Sequence, residues 1–182
     1  AEVERQSRRT RLVDVQWTCD DGTGIVISTT RPELICACGV VVVHPDDERY
    51  THLIGKTIQL PLPVEGRTTS VEIRTHASVK SDFGSGVLMV CSFGDQNDVA
   101  VFRELGLTPF QAINLEGKLT DLAGPFAGMK VVEARNAAIE YLEEQGTLVN
   151  VVEREQEIPV SERGKNPVEI ILLKEWYVKQ TH

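Results

Sequence analysis

Apolar and polar positions alternate along residues 12–19, which is the pattern of a strand that buries one face. The run Asp-Asp-Gly-Thr-Gly at residues 20–24 is a strong hairpin signal, and residues 24–30 are predicted to return as a second strand. Pro32 ends that strand because it has no N–H to donate. Thr29 and Thr30 therefore stand at the strand end, where alternation predicts that they point to opposite faces.

Further apolar segments predict more short strands separated by turns. The valine-rich residues 34–43 predict a strand buried on both faces. Residues 84–98 predict a glycine turn, a buried strand, a tight loop and the start of a helix. The remaining elements are predicted as strands at residues 56–60, 70–75, 110–114, 148–152 and 168–173, a short helix at 52–54, longer helices at 96–105 and 131–145, and a polar loop at 161–167.

The order of these elements predicts the fold class. The strands and helices do not alternate regularly, which argues against a doubly wound parallel sheet. We expect an α+β domain whose core is a strand-rich β-barrel, closed or partly closed, with peripheral helices. Residues 1–11 are polar and rich in arginine, and they predict a flexible arm or linker strand before a domain at residues 12–182.

Composition narrows the class of protein. Hydrophobic residues make up 41% of the 182 residues, enough for one core, and the formal net charge of -8 argues against nucleic-acid binding by bulk charge. A local basic patch that contacts one nucleic-acid end remains open. No apolar run is long enough to cross a membrane and no signal peptide is present, so we expect a cytoplasmic protein. The cysteines form no C-x-x-C pair and predict reduced, buried thiols, with Cys36 and Cys38 on one face of a strand; they are Cys19, Cys36, Cys38 and Cys91.

Two carboxylates mark the junction between the predicted loop and helix near residue 96. Asp95 and Asp98 lie at the open end of a strand–helix joint. There they could hold a cationic group, such as the amino group of an amino acid, or they could stabilise the helix start, where Asp is favoured. The residues alone leave both interpretations open.

Two other segments carry candidate chemistry. Arg31, between Thr30 and Pro32, has a rigid head with several donors that suits a phosphate or a carboxylate, but it could also be a surface arginine at a strand end. The polar run His-Pro-Asp-Asp-Glu-Arg-Tyr at residues 44–50 is either part of a site or a solvated turn.

In this order and spacing, these segments resemble the editing (CP1) domain that is inserted in valyl-tRNA synthetases of class I. The isoleucyl type usually has W-T-T-T-P-W-T at the Thr29 segment, and the leucyl type shares T-T-R-P but lacks H-P-D-D-E-R-Y. The valyl type is therefore favoured, with isoleucyl and leucyl types as alternatives, and Phe93-Gly94-Asp95 is archaeal-like. No H-I-G-H or K-M-S-K-S signature is present, so we expect an editing insertion cut from a longer enzyme. The resemblance rests on residues 29–33, 43–50, 52–56, 84–86, 93–98, 114–120 and 167–179.

The resemblance implies hydrolysis of threonine esterified to tRNA(Val). Asp95 and Asp98 are its implied catalytic residues, with Asp98 anchoring the ammonium group of the substrate and Asp95 contacting or shaping the subsite of the threonine hydroxyl. An ordered water, helped by the substrate's own ribose hydroxyl, is expected to attack the ester, and no Ser-His-Asp triad is expected. The implied substrate-binding residues are Thr29, Thr30, Arg31 (near the terminal nucleotide), Glu33, Leu34, Met89, Phe93, Asp95 and Asp98.

Two positions depart from the family pattern, and they support an alternative. Leu34 stands where the family often has Thr, and Met89 stands where it often has Lys. A non-catalytic module of the same fold, which binds an RNA end or an amino acid, therefore remains open.

The resemblance also implies partners and cofactors. The partners are the 3′ aminoacylated end of tRNA(Val), the threonine moiety and the rest of the synthetase in cis, with no membrane. We expect no metal, because the family's metal-binding cysteines are missing from residues 161–167. We expect no cofactor for the domain itself, since ATP is used by the missing activation domain.

Overall fold

The computed structural model of the chain describes the backbone of residues 3–92, 96–161, 170–172 and 178–180, and the side chains of residues 10–92 and 96–153. Its helices are α1 (Gln96–Leu105), α2 (Val131–Glu144) and three 3₁₀ helices at Pro32–Ala37, Glu48–Leu53 and Asp121–Phe126. Its strands are β1 (Val3–Cys19), β2 (Gly24–Thr29), β3 (Cys38–Val43), β4 (Thr57–Gln59), β5 (Ser70–Thr75), β6 (Val87–Cys91), β7 (Leu148–Ser161), β8 (Ile170–Leu172) and β9 (Val178–Gln180).

Seven of these strands form one sheet that curls almost into a barrel. The order is β2-β1-β4-β5-β3-β6, with β7 paired to β1 beside this path, and β8 and β9 form a separate hairpin. All pairs in the large sheet are antiparallel except β3 with β5. The two ends of the order, β2 and β6, lie against each other and nearly close the sheet. The predicted α+β fold with a strand-rich barrel core is confirmed.

The first hairpin forms where the alternation predicts it. Val13 pairs with Thr29 and Trp17 with Ile25. Trp17 is 1% exposed, and removing an indole from water contributes roughly 4–6 kcal/mol to stability. β1 begins at Val3, so residues 3–11 of the predicted arm or linker strand lie in β1, where they pair with β7.

Residues 34–43 differ from the prediction of one continuous strand. Pro32–Ala37 is a 3₁₀ helix with proline in its first turn, and the strand β3 begins only at Cys38. Proline favours a helix start, and a run that is apolar on every side looks the same in a buried helix as in a buried strand. Cys36 and Cys38 are therefore not on one face of a strand, and that prediction was wrong.

The prediction of a strand at residues 110–114 was also wrong. The strand is reduced to an isolated bridge between Ile113 and Leu119. The Phe110 N–H donates to the Ser92 hydroxyl at 2.8 Å, and the Ala112 carbonyl accepts from the Thr120 N–H at 2.8 Å. Of the polar loop predicted at residues 161–167, Ser161 is the last residue of β7, and residues 162–167 lie outside the described residues.

All four cysteines are buried and free, as predicted. Burial raises the pKa of the Cys36 thiol to about 12, with the nearby Glu33 carboxylate adding to the effect. Burial likewise raises the pKa values of Cys19 and Cys91. These thiols are packed as small apolar groups and stay protonated at neutral pH.

Candidate functional site

A cleft of about 380 Å³ lies where the end of β2, the strand β6, the start of α1 and the β5–β6 loop meet. Phe93 and Asp95 lie outside the described residues. Glu33 is described but does not line the cleft. The other predicted site residues all line it: Thr29, Thr30, Arg31, Leu34, Met89 and Asp98. The remaining lining residues, none of them in the predicted substrate site, are Ser28, Ser78, Lys80, Phe83, Leu88, Cys91 and Asn97.

Asp98 is held in the cleft by the backbone of β6. It lies in the first turn of α1, and its Oδ2 accepts a hydrogen bond from the Cys91 N–H at 3.2 Å. The N-terminus of a helix favours a negative charge, and the hydrogen bond from β6 fixes this carboxylate beside the cleft. The helix-start interpretation and the binding interpretation of Asp98 are therefore compatible.

Thr29 and Thr30 both line the cleft. β2 ends at Thr29, and the alternation of a strand does not extend to Thr30. The Thr29 hydroxyl accepts the Arg31 N–H at 3.0 Å. The Thr30 hydroxyl makes no hydrogen bond to any other described residue, which leaves it available to a ligand.

Glu33 lies behind Arg31 rather than in the cleft. Its side chain is fully buried, and its carboxylate accepts two hydrogen bonds from Arg135 of α2, Nε to Oε1 at 3.0 Å and Nη2 to Oε2 at 2.9 Å. Arg31 Nε donates to the same Oε2 at 3.1 Å. The placement differs from the prediction that Glu33 contacts the substrate, because a carboxylate at a buried site must be paired with cations.

The buried Glu33 carboxylate makes the stability of the domain depend on pH in the acidic range. Burial raises the pKa of Glu33, but the Arg135 hydrogen bonds and the Arg31 charge outweigh burial and lower the pKa below its ordinary value of 4.5. The resulting stability is present above that value and is lost as the pH falls through the lower pKa of the folded state.

We therefore expect Glu33→Gln to flatten the acid dependence of stability. Urea-unfolding midpoints measured from about pH 7 down to about pH 3 should fall for the unaltered chain and fall less for the variant, whose amide does not titrate. The matched control is Glu140→Gln, which removes an exposed carboxylate on α2, the helix of Arg135, and should follow the unaltered chain. Parallel curves for all three proteins would contradict this account.

The floor of the cleft is apolar where the family pattern has polar residues. Leu34 is 2% exposed and Met89 is 9% exposed, and both belong to the main core while they line the cleft. Met89 thus packs in the core and lines the cleft at the same time. An apolar floor fits a small aliphatic side chain and gives no charge to the ligand.

The polar run at residues 44–50 contacts the β5–β6 loop, which forms one wall of the cleft. Asp47 accepts two hydrogen bonds from the Arg49 guanidinium, at 2.9 and 2.8 Å, and Arg49 Nη2 also donates to the Ser81 carbonyl at 2.9 Å. The Tyr50 hydroxyl donates to the Ser85 carbonyl. Because these contacts hold both ends of residues 81–85, the run positions the loop that forms one wall of the cleft.

A second set of contacts holds the same loop from the other side. His76 Nδ1 lies 2.6 Å from the Ser78 hydroxyl and accepts the Ser78 N–H at 3.2 Å. His76 Nε2 lies 2.7 Å from Glu104 of α1. Since Nδ1 accepts a backbone N–H, the neutral ring carries its proton on Nε2 and donates it to Glu104. Only Ser78 of the three lines the cleft, and the contacts join the β5–β6 loop to α1.

Arg135 is the main part of this framework that the sequence analysis missed. A signal was present, because Arg135 lies among the buried residues Ala134, Ala138 and Ile139 on α2. A charged residue on the apolar face of a helix requires a buried partner.

In the part of the chain that the structure describes, no three His, Cys, Asp or Glu side chains converge as metal ligands. Within the same residues, no helix has the length and apolar run needed to cross a membrane.

Comparison with known proteins adds close relatives in sequence. No family model matches the chain. It is 44% identical over 184 residues to the valine–tRNA ligase of Methanopyrus kandleri, and 41% identical to those of Methanocaldococcus jannaschii and Archaeoglobus fulgidus. Each alignment covers 98% of the chain and 20% of the relative, so the chain spans about a fifth of the length of these curated relatives.

The fold is also similar to a solved structure. The crystal structure of GlLeuRS-CP1 superimposes with a TM-score of 0.62 at 11% identity, covering 78% of this chain and 99% of that chain. At this identity the likeness shows the fold, and the sequence relatives supply the type. The chain belongs to the class I aminoacyl-tRNA synthetase family, as a CP1 domain of the archaeal valyl type.

Proposed function

We propose that this domain edits mischarged tRNA by hydrolysing the ester that joins threonine to the terminal adenosine of tRNA(Val). The observation that carries the proposal is that Asp98, Thr30 and Arg31 line the same cleft, so that a carboxylate, a hydroxyl and a guanidinium belong to the residues around one ligand. These groups match the three parts of the substrate, which are an ammonium group, a side-chain hydroxyl and a nucleotide.

The need for such a reaction follows from the chemistry of valine and threonine. The two are nearly isosteric, and an apolar activation pocket rejects an added hydroxyl poorly, a problem for which valyl-tRNA synthetases are the standard example. A cleft with polar groups can accept threonine and reject valine. Valine would leave the Thr30 hydroxyl without a partner, whereas threonine satisfies it. Asp95 lies outside the described residues, and its role in contacting the threonine hydroxyl or shaping the subsite of that hydroxyl stays a prediction.

The reaction is the attack of a water oxygen on the ester carbonyl. The proton of the water passes to the departing ribose oxygen, helped by the adjacent ribose hydroxyl, and the products are threonine and uncharged tRNA. Asp98 fixes the ammonium group and Arg31 the terminal nucleotide, so the ester is held between two anchored ends. Positioning of this kind supplies most of the rate in the proposed mechanism. No metal or cofactor takes part in it.

A deacylation assay tests the proposal. We expect the synthetase that contains this chain to release threonine from Thr-tRNA(Val) much faster than valine from Val-tRNA(Val). Wrongly charged tRNA(Ile) and tRNA(Leu) in parallel reactions distinguish isoleucyl-type and leucyl-type editing. The control His76→Gln should keep the activity within about threefold, since His76 does not line the cleft.

The outcomes separate editing from the alternative module. The apolar floor at Leu34 and Met89 is the observation that favours a domain that binds the RNA end without hydrolysing the ester. Failure of the synthetase to release threonine, combined with retained binding of the aminoacylated end, would replace editing by that alternative. A large loss in His76→Gln would instead mean that the contacts of His76 with Ser78 and Glu104, which join the β5–β6 loop to α1, are needed for activity.

A further inference from the structure

The group formed by Glu33, Arg31 and Arg135 connects the cleft to α2, which packs against the 3₁₀ helix Pro32–Ala37. The fully buried Glu33 carboxylate is shared between Arg135, through two hydrogen bonds, and Arg31 Nε, through one. Arg31 and Arg135 are about three-quarters buried, with side-chain exposures of 24% and 22%. Both arginines and the carboxylate are therefore held in one geometry within the protein.

The fixed geometry matters because of what Arg31 faces. Arg31 lines the cleft, whereas Glu33 and Arg135 do not. A guanidinium is planar, so a hydrogen bond to Nε fixes the plane in which its Nη donors lie. The backbone of Arg31 is also held, through its N–H bond to the Thr29 hydroxyl. The backbone N–H of Arg31 and the Nε of its guanidinium are thus both held by other residues of the domain.

We propose that Glu33 and Arg135 are positioning residues that orient the Arg31 guanidinium toward the nucleotide end of the substrate. This inference rests on the proposed function, in which Arg31 binds the terminal nucleotide. Arg135 acts indirectly, because its two hydrogen bonds hold the Glu33 carboxylate, and that carboxylate holds Arg31. The helix α2 therefore belongs to the framework of the site, although none of its residues lines the cleft.

A double-mutant cycle in the synthetase tests this role. Because Arg31 binds a part of the substrate away from the ester, Glu33→Gln should raise KM for Thr-tRNA(Val) about fivefold and leave kcat within about twofold. If Glu33 acts through Arg31, the same change should have no further effect on KM in an Arg31→Ala background. An equal rise in both backgrounds, or no rise when Arg31 is present, would overturn the proposal. Glu140→Gln on the exposed face of α2 is the control.

A second measurement does not depend on editing activity. In the 182-residue chain without substrate, the Arg31 Nε–H should exchange slowly with solvent, as followed by ¹⁵N NMR. We expect at least a tenfold faster exchange in Arg135→Lys, which keeps the positive charge but loses the two-point contact with Glu33. This variant serves even if Glu33→Gln does not fold. Unchanged exchange would overturn the proposal, whereas faster exchange with no effect of Arg31→Ala on KM would refute only the assigned role of Arg31 in substrate binding.

Discussion

Asp98→Asn will remove most of the threonine-specific deacylation and leave the fold intact. The amide keeps an oxygen that can accept the Cys91 N–H, so the start of α1 retains its contact with β6. It loses the negative charge that we propose pairs with the ammonium group of threonine. Losing one partner of a desolvated charge pair costs about 2–5 kcal/mol, which corresponds to a fall of roughly 30- to 5,000-fold in kcat/KM for Thr-tRNA(Val).

The control for Asp98 is another aspartate in a first helical turn. Asp121 begins the 3₁₀ helix Asp121–Phe126, is exposed and does not line the cleft. Asp121→Asn should keep kcat/KM within about twofold. Urea unfolding of both variants separates a local loss of charge from a loss of structure. If Asp98→Asn deacylates as fast as the unaltered enzyme, the ammonium group is held elsewhere and the proposed site is wrong.

The fold was predictable from sequence where one face of an element is buried. β1 and β2 show this: polar residues alternate with Val13, Val15 and Trp17, and the Asp-Asp-Gly-Thr-Gly run specifies the turn between the strands. Prediction failed where the chain is buried on all sides. Residues 34–43 have no polar face to define a period, so their division into a 3₁₀ helix and β3 depends on Pro32 and on packing.

The site was predictable only in its residues that face the cleft. The resemblance indicated Asp98 and the Thr29–Arg31 segment because family motifs mark residues at the surface of a site. It gave no way to distinguish Arg31, which lines the cleft, from Glu33 two residues later, which does not. That distinction depends on Arg135, which is 102 residues from Glu33 in sequence. Such a pairing is specified by tertiary packing of α2 against the 3₁₀ helix, and local patterns do not encode it.

The β5–β6 loop packs against β2 beside the cleft, and Gly84→Ala should weaken this contact. Gly84 has a φ of +55°, and an added Cβ would lie 2.6 Å from the Ser28 Cβ on β2. Ser28 has little freedom to move, because its hydroxyl donates to Asp14 at 2.6 Å and accepts the Ser85 N–H at 2.9 Å. The backbone strain of about 1–2 kcal/mol and the overpacking of about 1–3 kcal/mol together predict a loss of roughly 2–5 kcal/mol in unfolding free energy.

Gly106→Ala isolates the backbone part of this loss. Gly106 follows α1 with a φ of +65°, and an added Cβ there meets no atom within 4 Å. It should therefore cost only the backbone strain, about 1–2 kcal/mol. Urea unfolding of the two variants gives the difference, which is the energy of forcing β2 and the β5–β6 loop apart. Equal losses would mean that the loop moves away from Ser28 without cost and that the sheet is not held closed at this point. A larger loss for Gly84→Ala, with weaker deacylation, ties the closure of the barrel to the shape of the cleft.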